Sequence, residues 1–280
     1  MLFRLYGMKR GIMLNALLRN PGMSSEPIRS LRRSLDQFYR QTQSYVWDQE
    51  VTDHAKWFSL MDPWLVRSRR QEEPLRILEL GAGKSTFCEH IKLRSEGIEY
   101  CVQDITDTNY AYLSRVANEV TIGDVSSVKG KYDVVFSTFV FEHVSSPSGF
   151  LEQVDRLLNP DGVHVLVCPR YDFPGYVCPS LRHLSRKQQL MIAGRLTCSR
   201  IATRIDRQPR FWINSDPAVF HRPWFRDADA VHIVSRFDVE QWHVARNYEV
   251  HRLLPPYANW REWFYSRHMV LALACTKKAV

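Results

Sequence analysis

The chain has 280 residues, of which 45% are hydrophobic and 24% are charged, as in an ordinary soluble globular protein. This length allows one large domain, or one domain with substantial additions, and no apolar run approaches the roughly 18 residues of a transmembrane segment. The net charge of +8 favours anionic partners such as nucleic acid, acidic lipid surfaces or phosphorylated substrates.

The six cysteines form no Cys-x-x-Cys pair, and several lie in apolar runs, as buried free thiols do. They are Cys88, Cys101, Cys168, Cys178, Cys198 and Cys275. This usage predicts a reducing, cytoplasmic compartment and no structural zinc site.

Residues 1–74 are predicted to form an N-terminal extension with cap helices. Residues 1–22 are basic and mildly apolar, and Lys9-Arg10-Gly11 interrupts the apolar core that a signal peptide needs. We therefore expect a loose extension there, with attachment to a membrane surface as the alternative. Residues 21–25 have the composition of a linker. Apolar spacing predicts two helices between residues 30 and about 70, and Pro74 favours an extended exit from them.

A glycine-rich turn follows the first predicted strand, which covers residues 76–80. Glycines let the backbone approach a ligand closely, and a helix N-terminus attracts polar or anionic groups. A phosphate-binding P-loop would need glycine at the position of Leu78, and a dinucleotide fingerprint would need it at Thr86. The first alternative therefore fails and the second is weakened. The remaining pattern is acid-x-Gly-x-Gly, from Glu79 to Gly83, and an ordinary strand–helix turn also fits it.

Apolar and helical segments alternate after this turn. Strands are predicted at residues 99–103, 120–122, 132–138 and 163–168, and helices at about 85–95, 107–118 and 148–158, the last capped by Ser148. Five strand-then-helix units with continuously apolar strands are typical of a doubly wound parallel sheet.

The regularity is lost after Pro169, where prolines interrupt a segment rich in arginine, histidine and aromatic residues. We expect an insertion at about residues 171–225, which contains a helix at about residues 185–205. Such a long insertion is usually a functional cover or a small subdomain. A helix at residues 238–246 and strands at 248–253 and 268–275 complete the predicted elements.

Three further sites are in register with the glycine turn. Asp104 ends the second strand, 21 residues after Gly83, and Asp124 follows the third. Residues 132–162 read YDVVFSTFVFEHVSSPSGFLEQVDRLLNPDG. This block and the glycine turn closely resemble the small-molecule type of class I S-adenosylmethionine-dependent methyltransferase (type 11/12-like). Asp161 departs from the family, which usually has glycine there.

The resemblance covers residues 75–170 well and the C-terminal strands loosely. It implies an α/β fold for residues 75–280: a Rossmann-like, doubly wound, seven-stranded sheet in a three-layer α/β/α arrangement, ending in an antiparallel hairpin. It also implies transfer of a methyl group from S-adenosylmethionine.

The family's cofactor cradle has counterparts around the glycine turn. The resemblance assigns the methionine moiety to Glu79 and to the backbone of Gly81 and Gly83. Asp104 would accept hydrogen bonds from the ribose hydroxyls. The alternative for Asp104 is a turn or helix-capping aspartate, which is common at strand ends.

The rest of the cofactor site is assigned in the same way. Asp124 would accept the adenine amino group, and Val125 would pack on the adenine ring. Ser137 and Phe139, at the end of the fourth strand, would border the methyl group. A turn aspartate after glycine is an equally good account of Asp124.

His143 is the predicted general base, because it follows the fourth strand beside the expected methyl position and the ordinary pKa range of histidine suits proton removal near neutrality. A base is needed only if the acceptor is a hydroxyl or an unactivated carbon. A structural hydrogen-bonding role for His143 has at least equal weight.

The acceptor pocket is predicted to form from the insertion, with Arg170, Tyr171, His183 and His221 as substrate-binding residues. The arginine-rich insertion suggests an anionic acceptor, whereas a solvated basic face is the plainer explanation. The spacing of the histidines predicts no metal site.

Two classes of function compete with methylation of an oxygen or carbon of a small molecule. One is an RNA methyltransferase, favoured by the net charge but without a recognisable RNA-binding domain. The other is a non-catalytic S-adenosylmethionine-binding protein or a nicotinamide-dependent oxidoreductase, and the missing third glycine counts against the nicotinamide enzyme. The sequence gives no indication of the oligomeric state.

Overall fold

Strands and helices alternate along most of the chain. The computed structural model describes residues 17–21, 25–41, 55–67, 74–92, 97–216, 219–220 and 229–278. The strands are β1 (Leu17–Arg19), β2 (Leu75–Leu80), β3 (Ile98–Asp104), β4 (Glu119–Ile122), β5 (Tyr132–Thr138), β6 (Leu158–Pro169), β7 (Trp212–Asn214), β8 (Tyr248–Arg252) and β9 (Val270–Lys277). The helices are α1 (Glu26–Gln41), α2 (Ala55–Phe58), α3 (Asp62–Arg67), α4 (Phe87–Lys92), α5 (Tyr110–Val116), α6 (Pro147–Leu157), α7 (Arg186–Asp206), α8 (Arg236–Val244) and α9 (Trp260–His268).

Seven strands form one mixed sheet in the order β4-β3-β2-β5-β6-β9-β8. The first five of these pair in parallel, and β9 is antiparallel to both of its neighbours. The predicted Rossmann-like sheet with an antiparallel end is confirmed. The strand order reverses between β2 and β5, and in open α/β sheets ligands bind at the carboxyl ends of the strands beside such a reversal.

Helices cover both faces of the sheet, because its central strands are apolar on both sides. Leu78 of β2 belongs to a core shared with Leu151 of α6 and Trp242 of α8. The adjacent Ile77 belongs to the opposite core, together with Phe87 of α4. Successive side chains of a strand point to opposite faces, so a fully apolar strand requires cover on both sides. This gives the predicted three layers.

A second, two-stranded sheet joins the N-terminal region to the insertion. Strand β1 pairs antiparallel with β7, and the Asn20 side chain bonds both the N–H of Phe211 at 2.7 Å and the carbonyl of Pro209 at 2.8 Å. The expectation of a loose extension is therefore wrong for residues 17–20, while residues 1–16 lie outside the described part of the chain. The division of the chain at residue 74 stays a prediction.

Helix α1 packs onto the same region. Its apolar face, with Ile28, Leu31 and Leu35, forms a small core with Ile213 and Val231. We call α1, β1, β7 and residues 229–234 together the cap. The cap thus combines residues of the N-terminal region with residues that follow some 170 or more positions later in the sequence.

Several predicted boundaries need correction. Helix α6 begins at Pro147, and its N-cap is Ser146, two residues before the predicted cap Ser148. The helix starts there because proline suits the first helical position. Helix α9 was not predicted. Its N-cap, Asn259, accepts hydrogen bonds from the N–H groups of Arg261 and Glu262 at 3.0 Å each. None of the described helices combines the length and the apolarity needed to cross a membrane.

Candidate functional site

A large cavity lies at the carboxyl ends of the parallel strands, where the strand order reverses. Its volume is about 690 Å³, within the range of small-molecule sites. Eight of the predicted site residues line it: Glu79, Gly81, Gly83, Asp104, Asp124, Val125, Phe139 and His143. Helix α1 of the cap supplies another wall, through Arg32, Leu35, Tyr39 and Arg40.

The turn after β2 requires glycine for two different reasons. Gly81 and Gly83 have φ angles of +66° and +56°, in the left-handed region that favours glycine. A Cβ atom on Gly81 would lie 2.6 Å from Cγ2 of Val140, so the turn packs directly against the loop after β5. A Cβ atom on Gly83 would have no neighbour within 4 Å. The backbone of Gly83 therefore faces open space in the cavity.

Asp104 is tied to this turn through its carboxylate. Its Oδ2 accepts a hydrogen bond from the N–H of Gly83 at 2.7 Å, and its Oδ1 accepts one from the N–H of Thr106 at 3.2 Å. Burial raises the pKa of the Asp104 carboxyl, and these backbone donors partly offset the rise. Asp104 thus has a structural role in the turn while its side chain also lines the cavity.

Gln103 was not predicted as a site residue, although it connects the turns that follow β2 and β4. Its Oε1 accepts from the N–H of Gly81 at 3.2 Å, and its Nε2 donates to the carbonyl of Gly123 at 2.5 Å. Its place next to Asp104 at the end of an apolar strand was the signal available in the sequence.

Glu79 lies at the floor of the cavity, buried to 4% exposure. Burial raises the pKa of its carboxyl to about 7, although hydrogen bonds from the hydroxyls of Tyr100 and Ser85 oppose the rise. A cationic group placed nearby would favour ionisation of this carboxyl. The site can therefore take up positive charge without a permanent buried anion.

Asp124 faces α1 of the cap and forms a direct ion pair with its Arg32. Burial opposes its ionisation, but the hydrogen bonds from Ser126 and the charge of Arg32 hold the pKa of this carboxyl below its usual range. The adjacent Val125 is buried to 9% exposure and contributes an apolar surface. The Asp124–Arg32 pair was not predicted.

Phe139 has a strained backbone, with a φ angle of +57° at the carboxyl end of β5. Its N–H donates to the carbonyl of Val167 at 2.7 Å, and its ring meets the edge of the Trp57 ring at 5.7 Å between centroids. Such strain is often found at functional sites. Ser137, two residues earlier, is fully buried and does not line the cavity.

His143 lines the cavity next to the cap. Its Nδ1 lies 3.1 Å from Oδ2 of Asp229, and its Nε2 lies 3.7 Å from Oε1 of Glu142. The hydroxyl of Tyr39, on α1, donates to the same Asp229 oxygen at 2.8 Å. Neither Asp229 nor Tyr39 was predicted as a site residue.

The predicted substrate-binding residues do not join this group. Arg170 is buried in an ion pair with Asp172, and Tyr171 lines a separate cavity of about 290 Å³ between α7 and the loop after β6. His183 is exposed and lines neither cavity. His221 lies outside the described residues. The described part of the insertion reaches the large cavity only indirectly, through the cap.

One grouping of potential metal ligands occurs in the described part of the chain, remote from the cavity: Glu99, Cys101 and Glu119. Arg76 already forms ion pairs with both carboxylates, with Nη2 at 2.9 Å from Glu99 and at 3.6 Å from Glu119. Burial raises the pKa of the Cys101 thiol to about 12, which disfavours the thiolate that a metal needs. The grouping is an ion-pair cluster at the opposite edge of the sheet.

Comparison with known proteins gives a family and solved structures of similar fold. Residues 53–264 match a family model described as a methyltransferase domain. No curated protein sequence matches the chain.

Among solved structures, the plantazolicin methyltransferase BpumL, in complex with a pentazolic desmethylPZN analog and S-adenosylhomocysteine, is similar with a TM-score of 0.53 and 12% identity, over 91% of this chain and 99% of that chain. The 1,6-didemethyltoxoflavin-N1-methyltransferase of Burkholderia thailandensis, with 1,6-didemethyltoxoflavin and S-adenosylhomocysteine bound, is similar with a TM-score of 0.52 and 13% identity. The match covers 94% of this chain and 95% of that chain.

Proposed function

This chain belongs to the methyltransferase domain family, and we propose that it transfers a methyl group from S-adenosylmethionine to an oxygen or carbon atom of a small molecule. One observation carries the proposal. Three carboxylates, Glu79, Asp104 and Asp124, lie at or just beyond the carboxyl ends of three neighbouring parallel strands and line a single cavity beside a glycine turn.

The residues present fit the proposed methyl donor. An ammonium group suits Glu79, whose carboxyl is ready to ionise beside a cation. Asp104 retains lone pairs for ribose hydroxyls, since each of its oxygens accepts one backbone hydrogen bond. The open space beside Gly83 gives room for a ligand against the backbone. Both similar structures hold S-adenosylhomocysteine, which is what remains of this donor after transfer.

When bound, the donor supplies a methyl group on a positively charged sulfur, which is a good leaving group. The chain then has to orient the acceptor and exclude water, and orientation alone can lower a barrier by several kcal/mol. Phe139 and Val140 on one side and Leu35 of the cap on the other give the cavity apolar walls for this purpose. We assign the methyl position to this part of the cavity.

The acceptor that suits these walls is a hydroxyl-bearing organic molecule of low mass. His143 would accept the hydroxyl proton as a general base. An anionic acceptor has less support, because each α1 arginine that lines the cavity forms an ion pair with a carboxylate: Arg32 with Asp124, Arg33 with Glu26 and Arg40 with Asp36. A role for Arg170, Tyr171, His183 and His221 in substrate binding stays a prediction.

We also propose a cytoplasmic location, which six free cysteines, five of them buried, favour because free thiols persist in a reducing compartment.

A methyl-transfer assay tests the proposed function. The full chain is incubated with S-adenosylmethionine labelled in the methyl group and with either a panel of hydroxylated small molecules or total RNA. We expect label in the small-molecule fraction, and a loss of that label in His143→Gln. Label that enters only RNA would replace this proposal by the RNA methyltransferase.

A further inference from the structure

The carboxylate of Asp229 joins three parts of the chain that are distant in sequence. A single oxygen, Oδ2, lies 3.1 Å from Nδ1 of His143 and accepts a hydrogen bond from the Tyr39 hydroxyl at 2.8 Å. Asp229 is 2% exposed. It lies 86 positions after His143 and 190 positions after Tyr39 in the sequence. Burial strengthens such contacts, because water competes little for them.

From these contacts we infer that Asp229 and Tyr39 are positioning residues for His143. Asp229 holds the imidazole in the tautomer that carries its proton on Nδ1, and Tyr39 fixes the carboxylate that does so. This inference rests on the proposed function, in which His143 removes a proton from the acceptor. It adds two residues from the cap to the reaction.

Distance decides between the two carboxylates that face His143. The 3.1 Å separation from Asp229 to Nδ1 is a close ion-pair contact whose angle falls short of a hydrogen bond, whereas the 3.7 Å from Glu142 to Nε2 exceeds hydrogen-bond distance altogether. A carboxylate is an acceptor only, so the nitrogen that faces Asp229 carries the hydrogen. Nε2 is then the nitrogen with the lone pair, and the acceptor's O–H proton passes to it.

The backbone holds this arrangement in place. The N–H of His232 donates to the carbonyl of Glu142 at 2.8 Å, and Nδ1 of His232 lies 3.1 Å from the carbonyl of Phe141. The strand-like segment after Asp229 is thereby bonded to the turn that carries His143. The Tyr39 ring also meets the His143 ring edge-on, at 6.4 Å between centroids.

The coupling to α1 has a functional consequence. Tyr39 belongs to the helix that walls the cavity, so the packing of α1 over the site contributes to the orientation of His143.

Histidine ¹⁵N NMR of the full chain tests the inference without an acceptor, with His143→Gln to identify the His143 resonances. We expect a protonated Nδ1 and an unprotonated Nε2 in the neutral wild-type ring. In Asp229→Asn the population should move toward the Nε2-protonated form. Asp161→Asn, an exposed aspartate at the other end of the sheet, should leave the spectrum unchanged.

Two results would overturn the inference: a wild-type His143 protonated on Nε2, or a folded Asp229→Asn variant with the wild-type tautomer. If Asp229→Asn does not fold, Tyr39→Phe decides. Loss of the competing donor should move the Nδ1 proton resonance downfield, and an unmoved resonance would count against the inference.

Binding and turnover separate this inference from the proposed function. Asp229→Asn should bind S-adenosylhomocysteine as the wild type does, since Asp229 does not line the cofactor end of the cavity. With an acceptor from the methyl-transfer assay, kcat should fall about 10²-fold or more while the acceptor KM stays within about twofold. Failure of the wild type to bind S-adenosylhomocysteine would reject the proposed function and leave the tautomer result standing.

Discussion

Asp104 combines two tasks at the residue scale. Its oxygens fix the N–H groups of Gly83 and Thr106, and the same carboxylate lines the cavity. The sequence offered a structural turn aspartate and a ribose ligand as alternatives, and the geometry of the carboxylate is compatible with both at once.

Asp104→Ala is expected to weaken the binding of S-adenosylhomocysteine by about 1–3 kcal/mol, through lost hydrogen bonds to the ribose. Isothermal titration calorimetry measures this change. Asp104→Asn keeps an oxygen for the N–H of Gly83 and separates the two tasks, while Asp161→Ala serves as an exposed control. Unchanged affinity in Asp104→Ala would refute its assigned role.

Glu79 should make stability depend on pH. Its folded-state pKa of about 7 lies above its ordinary value of 4.5 because of burial, so the folded chain holds this proton more tightly than the unfolded chain does. The stabilisation is fully present below about pH 4.5 and is lost as the pH rises through about 7.

Glu79→Gln removes this titration. The free energy of unfolding in urea should therefore fall less steeply from about pH 5 to about pH 7.5 in the variant than in the wild type. Glu89→Gln, at an exposed position on α4, is the matched control and should follow the wild type. Parallel curves for wild type and Glu79→Gln would contradict the elevated pKa.

At the scale of elements, the predictable parts of the fold are those with a strong local signal. Strand β5 was predicted to the residue, because its mostly apolar run is continuous and six of its seven residues are buried. Strands β1 and β7 have three residues each, too few for any periodicity to appear. Helix α7 was predicted at about residues 185–205, and in the structure Ser185 forms a capping box with Gln188 at its start.

Helix α7 provides a stability test within the insertion. Gly194 is exposed in the helix interior, and a Cβ atom there would have no neighbour within 4 Å. Gly194→Ala should raise the free energy of unfolding by about 0.5–1 kcal/mol, because alanine loses less conformational entropy in a helix.

Gly175→Ala is the matched control, since a Cβ atom there would also have no neighbour, but the φ angle is +82°. It should lower the free energy of unfolding by about 1–2 kcal/mol. Chemical denaturation measures both variants, and a stability loss in Gly194→Ala would contradict an exposed helical position at residue 194.

The candidate site, like the fold, has a part that the sequence predicts and a part that it does not. The carboxylates at strand ends were predictable, because successive parallel strands bring their carboxyl ends to one edge of the sheet. Tyr39 and Asp229 were not, because only the folded cap brings together residues 190 positions apart in sequence. No local pattern around either residue carries that information.

For the whole molecule, the main result is that the N-terminal region and the insertion act together. The pairing of β1 with β7 and the packing of α1 on Ile213 and Val231 place the cap over the carboxyl edge of the sheet. The predicted cofactor residues belong to the sheet and the turns that follow its strands. The cap contributes Arg32, which pairs with Asp124, and Asp229, which contacts His143. Two segments remote in sequence thus complete the wall of the cavity at the carboxyl edge of the sheet.

The most direct test is calorimetric titration of the full chain with S-adenosylhomocysteine and, in parallel, with NAD. We predict saturable binding of one S-adenosylhomocysteine per chain, weakened in Asp104→Ala, and no binding of NAD. Binding of NAD without binding of S-adenosylhomocysteine would contradict the account.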